Sequence, residues 1–310
     1  MAIIEPFRGI LPAMQLPLKP DYRIDETELR RFSGWLAGFE GIGGLVTNGH
    51  TGEVFALSPR ERAEVTRIVA DELQGKLPVI SGINCESISE AVEHARMAKE
   101  AGAKGLLVMP PHIWLRFGMR PEHVIKYFTA IGEAVNINLV VHIYPAWTKA
   151  SYSSKLLGEL ATLPWVTTFK IGTREMSKYT RDIAAIRTAD RDSTILTCHD
   201  EYLLPTMVQG VDGALVGFAS FIPDWITALF RAVREGDLKK AQDIQNRINP
   251  LNDVVYAKGE PSSDAHARMK VAMHLCGRIS ATTVRPPIEV PMGKTYDAIV
   301  KAVKESGLMQ

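Results

Sequence analysis

Cysteine is scarce in this chain of 310 residues: Cys85, Cys198 and Cys276 are the three present, and no two form a Cys-x-x-Cys pair. So few, odd in number and widely spaced, they argue against a disulfide scaffold or a zinc ribbon and for a reducing compartment. An excess of one charge is missing as well. The 36 basic residues are balanced by 35 acidic ones for a net +1, without a long block of either sign. Neither a nucleic acid nor a membrane surface is therefore the expected partner, and a small molecule is. No uninterrupted apolar run is long enough to span a bilayer. The opening residues, Met1-Ala-Ile-Ile-Glu-Pro-Phe-Arg8, lack a basic segment followed by an apolar block, which reads as no export signal and a cytoplasmic protein. A Gly-x-Gly-x-x-Gly turn after the first apolar run is also lacking, which weakens a dinucleotide-binding sheet.

What is present is a large apolar content, 46% of residues, arranged with a regular beat. Short apolar runs alternate with amphipathic stretches. Strands are expected at Gly9 to Met14, Ile42 to Thr47, Leu77 to Ile83, Gly105 to Met109, Asn138 to Tyr144, Val166 to Ile171, Thr194 to Cys198 and Gly213 to Gly217. Between them lie helix patterns, among them Ser58-Pro-Arg-Glu61, a capping serine with a first-turn proline and a glutamate at the third helical position. A further helix is expected at Glu201 to Gln209. Eight near-continuous apolar strands interleaved with helices predict an α/β fold, a (β/α)8 TIM barrel, since antiparallel strands would alternate polar and apolar. After Gly236 the beat stops and only helix patterns follow. The expected division is a barrel over residues 1–236 carrying the active site and a C-terminal helical domain over residues 237–310.

Within this frame one amine stands out. Trp165-Val-Thr-Thr-Phe-Lys-Ile-Gly172 delivers Lys170 to the C-terminal end of the sixth strand, the end at which barrel active sites sit. An ammonium desolvated there has a lowered pKa and leaves some neutral amine to attack a carbonyl. A plain surface lysine is the alternative that this run alone leaves open.

Gly49-His-Thr-Gly-Glu53 after the second strand, Pro145 after the fifth and Lys170 at the end of the sixth resemble the dihydrodipicolinate synthase and N-acetylneuraminate lyase family of class I aldolases. The likeness runs through most of the chain, including the helical tail. It implies a homotetramer built as a dimer of dimers, no metal or organic cofactor, and a Schiff base between Lys170 and the ketone of pyruvate or another 2-oxo acid. It further implies that the loop from Gly49 through His50, Thr51 and Gly52 cradles the substrate carboxylate, with Glu53 tying the loop down, and that Gly217 lies at the substrate site.

Several positions depart from the family pattern. Val141-His-Ile-Tyr-Pro145 places His142 where the family carries its proton-shuttling tyrosine, while Tyr144, two residues on, shares a strand face with it. His50 and His112 likewise stand where the family has hydroxyls. Imidazoles near pKa 6.5 exchange protons at neutrality more readily than phenols near 10. His142 is therefore read as general acid/base, His50 as orienting it, Tyr144 as its substitute, and His112 as a substrate contact that could come from a neighbouring subunit. A metal held by the three histidines is disfavoured, because no carboxylate completes the set and a cation would oppose imine protonation. Where the synthases carry an arginine for the second substrate's carboxylate, this chain has Trp147, and loss of that fork argues against dihydrodipicolinate synthesis. Trp147, Trp114 and Phe117 suggest an apolar or aromatic substrate, as in hydratase-aldolases acting on arylidene pyruvates. A subunit interface would use the same aromatics. Arg174 could serve an acidic substrate tail, and Cys198 with His199 could form a nucleophilic pair. The reading from a different class is a non-catalytic barrel that binds a 2-oxo acid or other metabolite as sensor or carrier.

Overall fold

The computed structural model describes residues 4–145, 148–257 and 263–309. Eight parallel strands are ordered around a barrel: β1 (Gly9–Pro12), β2 (Leu45–Thr47), β3 (Val79–Ile83), β4 (Gly105–Val108), β5 (Asn138–Ile143), β6 (Val166–Ile171), β7 (Thr194–Thr197) and β8 (Gly213–Val216). The strands read as continuous apolar runs because both their faces are covered, one by the barrel interior and one by helices. Closure between β1 and β2 is made by the bridges Ile10 to Ile42 and Ala13 to Val46, with Met14 N–H donating to the Val46 carbonyl at 2.9 Å. The second strand is shorter than its apolar run suggests. Gly43 and Gly44 lie in the approach to it, where a Cβ on Gly43 would stand 1.8 Å from the Arg8 carbonyl oxygen.

The helices that cover the barrel are α1 (Glu26–Ala37), α2 (Pro59–Leu73), α3 (Ile88–Glu100), α4 (His112–Phe117), α5 (Pro121–Val135), α6 (Ser154–Ala161), α7 (Met176–Ala189), α8 (Leu203–Met207), α9 (Phe218–Phe221) and α10 (Pro223–Arg234). They are followed by α11 (Leu238–Val255), α12 (Ala265–Leu275) and α13 (Gly293–Glu305). Helix α2 begins with the expected capping box: Glu61 N–H donates to Ser58 Oγ at 3.3 Å and Ser58 N–H to Glu61 Oε2 at 2.8 Å. The helix expected from Glu201 begins later. Asp200–Tyr202 form a 3₁₀ turn, because the Asp200 carboxylate turns inward to accept the N–H groups of Gly217 and Phe218 at 3.1 and 2.9 Å. Tyr256 Oη donates to the same carboxylate at 2.6 Å and Asn252 Nδ2 to the Asp200 carbonyl at 2.8 Å, which docks the end of α11 on the barrel.

Inside the barrel Leu11, Val46, Ile80, Leu107, Val140, Leu196 and Leu215 pack as one buried cluster over Phe7. Burying each such side chain contributes about 1.5–3 kcal/mol, so this layer is a rigid floor. Side chains alternate along a strand, so two steps beyond Val140 comes His142, and two steps beyond Thr168 comes Lys170. The floor therefore fixes which residues rise into the mouth.

Candidate active site

His142 and Lys170 are register partners on β5 and β6. Lys170 is partly exposed at the mouth, and among the described residues its Nζ makes no hydrogen bond or ion pair. Surrounding protein lowers its pKa below the ordinary lysine value; Cys198 and then Asp200 oppose that shift. The strand can end this way because residue 172 is glycine: a Cβ there would stand 2.3 Å from the Ile143 carbonyl oxygen. His142 is buried, its Nδ1 has no partner, and burial followed by the Lys170 charge holds its pKa well below the usual histidine range. The ring is thus neutral at pH 7, on the residue paired in register with Lys170.

The loop after β2 supplies the opposite wall. His50 Nε2 and Tyr144 Oη are hydrogen-bonded at 3.0 Å, whereas the His50 and His142 rings lie 5.6 Å apart, centre to centre. His50 is therefore bonded to Tyr144 and not to His142, the residue it is expected to orient from the family's relay positions. Burial, and after it the Lys170 charge, pushes the His50 pKa down to about 3; burial also raises the Tyr144 phenol above its ordinary value. Thr51 is buried at the bend. The turn closes with Gly52 N–H and Val54 N–H donating to the Gly49 carbonyl at 3.1 and 3.3 Å, and Glu53 N–H to the His50 carbonyl at 3.0 Å. Among the described residues no acceptor takes the N–H groups of His50 and Thr51, an arrangement suited to an anion. The two glycines differ. A Cβ on Gly52 would meet the Met14 carbonyl oxygen at 3.1 Å, while one on Gly49 would meet nothing within 4 Å, so Gly49 is not required by the protein's own packing.

Glu53 ties this loop to the C-terminal segment. Its carboxylate accepts from Lys270 Nζ at 2.5 Å and from Arg285 N–H at 3.0 Å, and Lys270, fully buried on α12, also donates to the Thr283 carbonyl at 2.7 Å.

Other expected residues fall elsewhere. His112 opens α4, its Nδ1 3.1 Å from the Glu86 carboxylate and its ring 4.9 Å from that of Phe55 in the same chain. Gly217 is buried and its N–H is taken by Asp200; a Cβ there would press on Met269 and Tyr256, so its smallness serves that junction. Arg174 is neither free nor water-exposed but paired with Glu201 at 2.9 Å. The Cys198 and His199 pair does not form: His199 Nε2 donates to the Thr173 carbonyl at 3.1 Å, and burial pushes the Cys198 thiol up to about 11. Trp114 packs edge-on against Tyr127 at 5.6 Å, part of the helix layer, and Phe117 is 74% exposed. Trp147 lies outside the described residues. Among the described residues, one set of metal-ligating atoms converges, Cys85, Glu90 and His94, but Arg62 Nη1 stands 3.2 Å from the His94 Nδ1 that would bind.

Two contributors escape a reading by motif. Phe55, 56% exposed, stacks on His50 at 5.1 Å. His266, at the start of α12, has a buried Nδ1 without a partner and a pKa pushed down to about 4, chiefly by burial and next by the Lys170 charge. A lone histidine beyond the barrel carries no local signal of either place.

Residues 6–306 match the model of the dihydrodipicolinate synthetase family. The chain belongs to this family. It is a lyase of the class I aldolase type, as its family relatives are. A 4-hydroxy-tetrahydrodipicolinate synthase of Methanococcoides burtonii is 30% identical over 306 residues, covering 98% of this chain and 100% of the relative. An uncharacterized DapA-like lyase of Thermofilum pendens is also 30% identical, over 97% and 98% of the two chains. Among solved structures, the dihydrodipicolinate synthase of Thermotoga maritima superposes with a TM-score of 0.88 at 23% identity, covering 98% of this chain and 99% of that one. YagE of E. coli K12, a prophage protein of the dihydrodipicolinic acid synthase family solved with pyruvate, superposes with a TM-score of 0.88 at 24% identity over 97% and 99%. At such identities these two likenesses speak for the fold alone. No helix among the described residues is long and apolar enough to cross a membrane.

Proposed function

We propose that the chain is a Schiff-base-forming lyase for pyruvate or a related 2-oxo acid, and that its second substrate is not the anionic aldehyde of the dipicolinate pathway. The supporting observation is the unpaired, desolvated Lys170 amine at the barrel mouth, register-paired with a neutral His142. The neutral amine attacks the C2 carbonyl, the resulting carbinolamine loses water, and a protonated imine remains. Loss of a C3 proton gives the enamine, which adds to an aldehyde or, in reverse, is released when a C3–C4 bond breaks; expulsion of a C4 hydroxyl is the dehydrating branch. His142 carries protons in these steps, since it is neutral and register-paired with the amine's residue. The Tyr144 and His50 pair supplies a hydrogen bond to the oxygen that gains or loses a proton at C4. The substrate carboxylate lies on the N–H groups of His50 and Thr51 with the Thr51 hydroxyl, Gly49 and Gly52 leaving the backbone open to it. His112 and Gly217 shape the rim and the floor of the eighth strand's end rather than bind the carboxylate.

The same reading takes residues through 236 as the catalytic barrel and residues 237–310 as a helical unit, in a cytoplasmic homotetramer that needs no cofactor. Loss of the synthase's arginine at the Trp147 position supports a second substrate without a carboxylate. The test is exchange. In D2O the protein should wash deuterium into the methyl group of pyruvate, followed by NMR, and Lys170→Ala should stop it. Exchange that survives in Lys170→Ala would refute the imine.

A further inference from the structure

A cavity of about 450 Å³ opens beside the mouth, between the loop after β2, the start of α12 and the segment around Pro286. Its walls are largely apolar: Phe55, Ala56, Ala267, Val284, Pro286 and Ile288. The size falls within the roughly 300–1,000 Å³ of small-molecule sites, and a dry apolar hole of about 150 Å³ already takes benzene. His50 is shared between this cavity and the hydrogen bond to Tyr144 at 3.0 Å, which joins the space to the residues of the mouth.

Among the described residues, its charged neighbours Glu53 and Arg285 are committed. Glu53 is held by Lys270 Nζ and Arg285 N–H at 2.5 and 3.0 Å. The Arg285 guanidinium donates to the Ala56 and Tyr22 carbonyls at 2.7 and 2.8 Å and to Glu61 at 2.5 Å. The two imidazoles are neutral at pH 7. Among the described lining residues no cation is left free to meet an anionic group, so such a group would be desolvated against neutral walls, which costs far more than burying an apolar one. Among the described residues the His266 side chain has no hydrogen-bond partner, while its carbonyl is fixed by Gln15 Nε2 at 3.0 Å.

We propose that this cavity is the subsite for the rest of the substrate and takes an uncharged apolar group, aryl or branched alkyl, with His266 hydrogen-bonding the oxygen on the carbon next to that group. The assignment rests on the Schiff-base reading for its place in the reaction but not for its binding chemistry. That separation shapes the test. Neutral trans-cinnamyl alcohol is titrated by ligand-observed NMR into the whole protein, into Ile288→Trp and into Ala56→Phe, two half-buried wall positions whose melting curves report intact folding. In parallel, each protein is incubated with pyruvate and borohydride, and the wild type is offered benzaldehyde against succinic semialdehyde.

The expected result is saturable binding of the alcohol, weakened at least tenfold in both variants, with the pyruvate adduct unchanged and benzaldehyde consumed in preference to the anionic aldehyde. His266→Ala should raise KM for benzaldehyde more than fivefold while leaving adduct formation alone. Equal alcohol binding in folded wild type and both variants overturns the subsite, as does preference for succinic semialdehyde. Binding that behaves as expected in a protein that forms no adduct supports the subsite and removes the Schiff-base reading.

Discussion

Tyr144 Oη and His50 Nε2 lie 3.0 Å apart, joining the end of β5 to the loop after β2 across the mouth of the barrel. The bond splits the proposed proton chemistry between two places, because His142 stands lower, register-paired with Lys170. His142→Asn should lower kcat by about 10²–10⁴, the range for a lost proton shuttle, with the pyruvate adduct still forming. Tyr144→Phe should lower it by about tenfold. Steady-state kinetics on the two variants check the order, and the opposite ranking would move the shuttle to Tyr144.

The buried Lys270 and Glu53 pair sets how firmly the carboxylate loop is held. Burial lowers the Lys270 pKa, with Glu53 opposing it, so the charge depends on its partner. Lys270→Met leaves Glu53 without its main cation and should cost about 3–5 kcal/mol of stability. Pairing it with Glu53→Gln should recover more than half, because the uncompensated charge is then gone. Urea unfolding of the single and double variants reads both values; additive losses would contradict the pairing.

Stability should also fall in acid through His199. Burial, then the Arg174 charge, pushes its pKa from 6.5 down to about 4 while the Thr173 carbonyl accepts its Nε2 proton. A depressed pKa means that the unfolded chain binds the proton first. The contribution is therefore complete above about pH 6.5 and is lost as pH falls through about 4, with a limit of about 3 kcal/mol for that gap. Melting temperatures from pH 7.5 to 4 should drop more steeply for the wild type than for His199→Gln. Parallel curves would show that other groups govern the acid limb.

Much of this was legible in the residues before any coordinates. β6 declares itself because Val166 to Phe169 are β-branched or aromatic and the run is bracketed by Pro164 and Gly172, and the Ser58 and Glu61 capping box is a local pattern with a local cause. The inward direction of His142 and Lys170 follows from the two-residue period of strands. The partner of His50 does not follow from it: the family's relay positions point His50 to His142, whereas it bonds Tyr144, two residues further along the chain. α4 went unseen because six residues are too few to show a helical period, and Trp114 within it turns toward Tyr127 instead of the mouth. His266 and the Val284–Ile288 wall come from beyond the barrel, brought to the loop after β2 by tertiary packing, which no spacing in the chain encodes.

Borohydride reduction in the presence of pyruvate reaches the central claim most directly. Wild-type protein should gain the mass of one reduced pyruvate per chain, and peptide mapping should place it on Lys170, with no gain in Lys170→Ala. A wild-type mass unchanged across pyruvate and a panel of other 2-oxo acids, or an adduct mapped to a different lysine, would contradict the account.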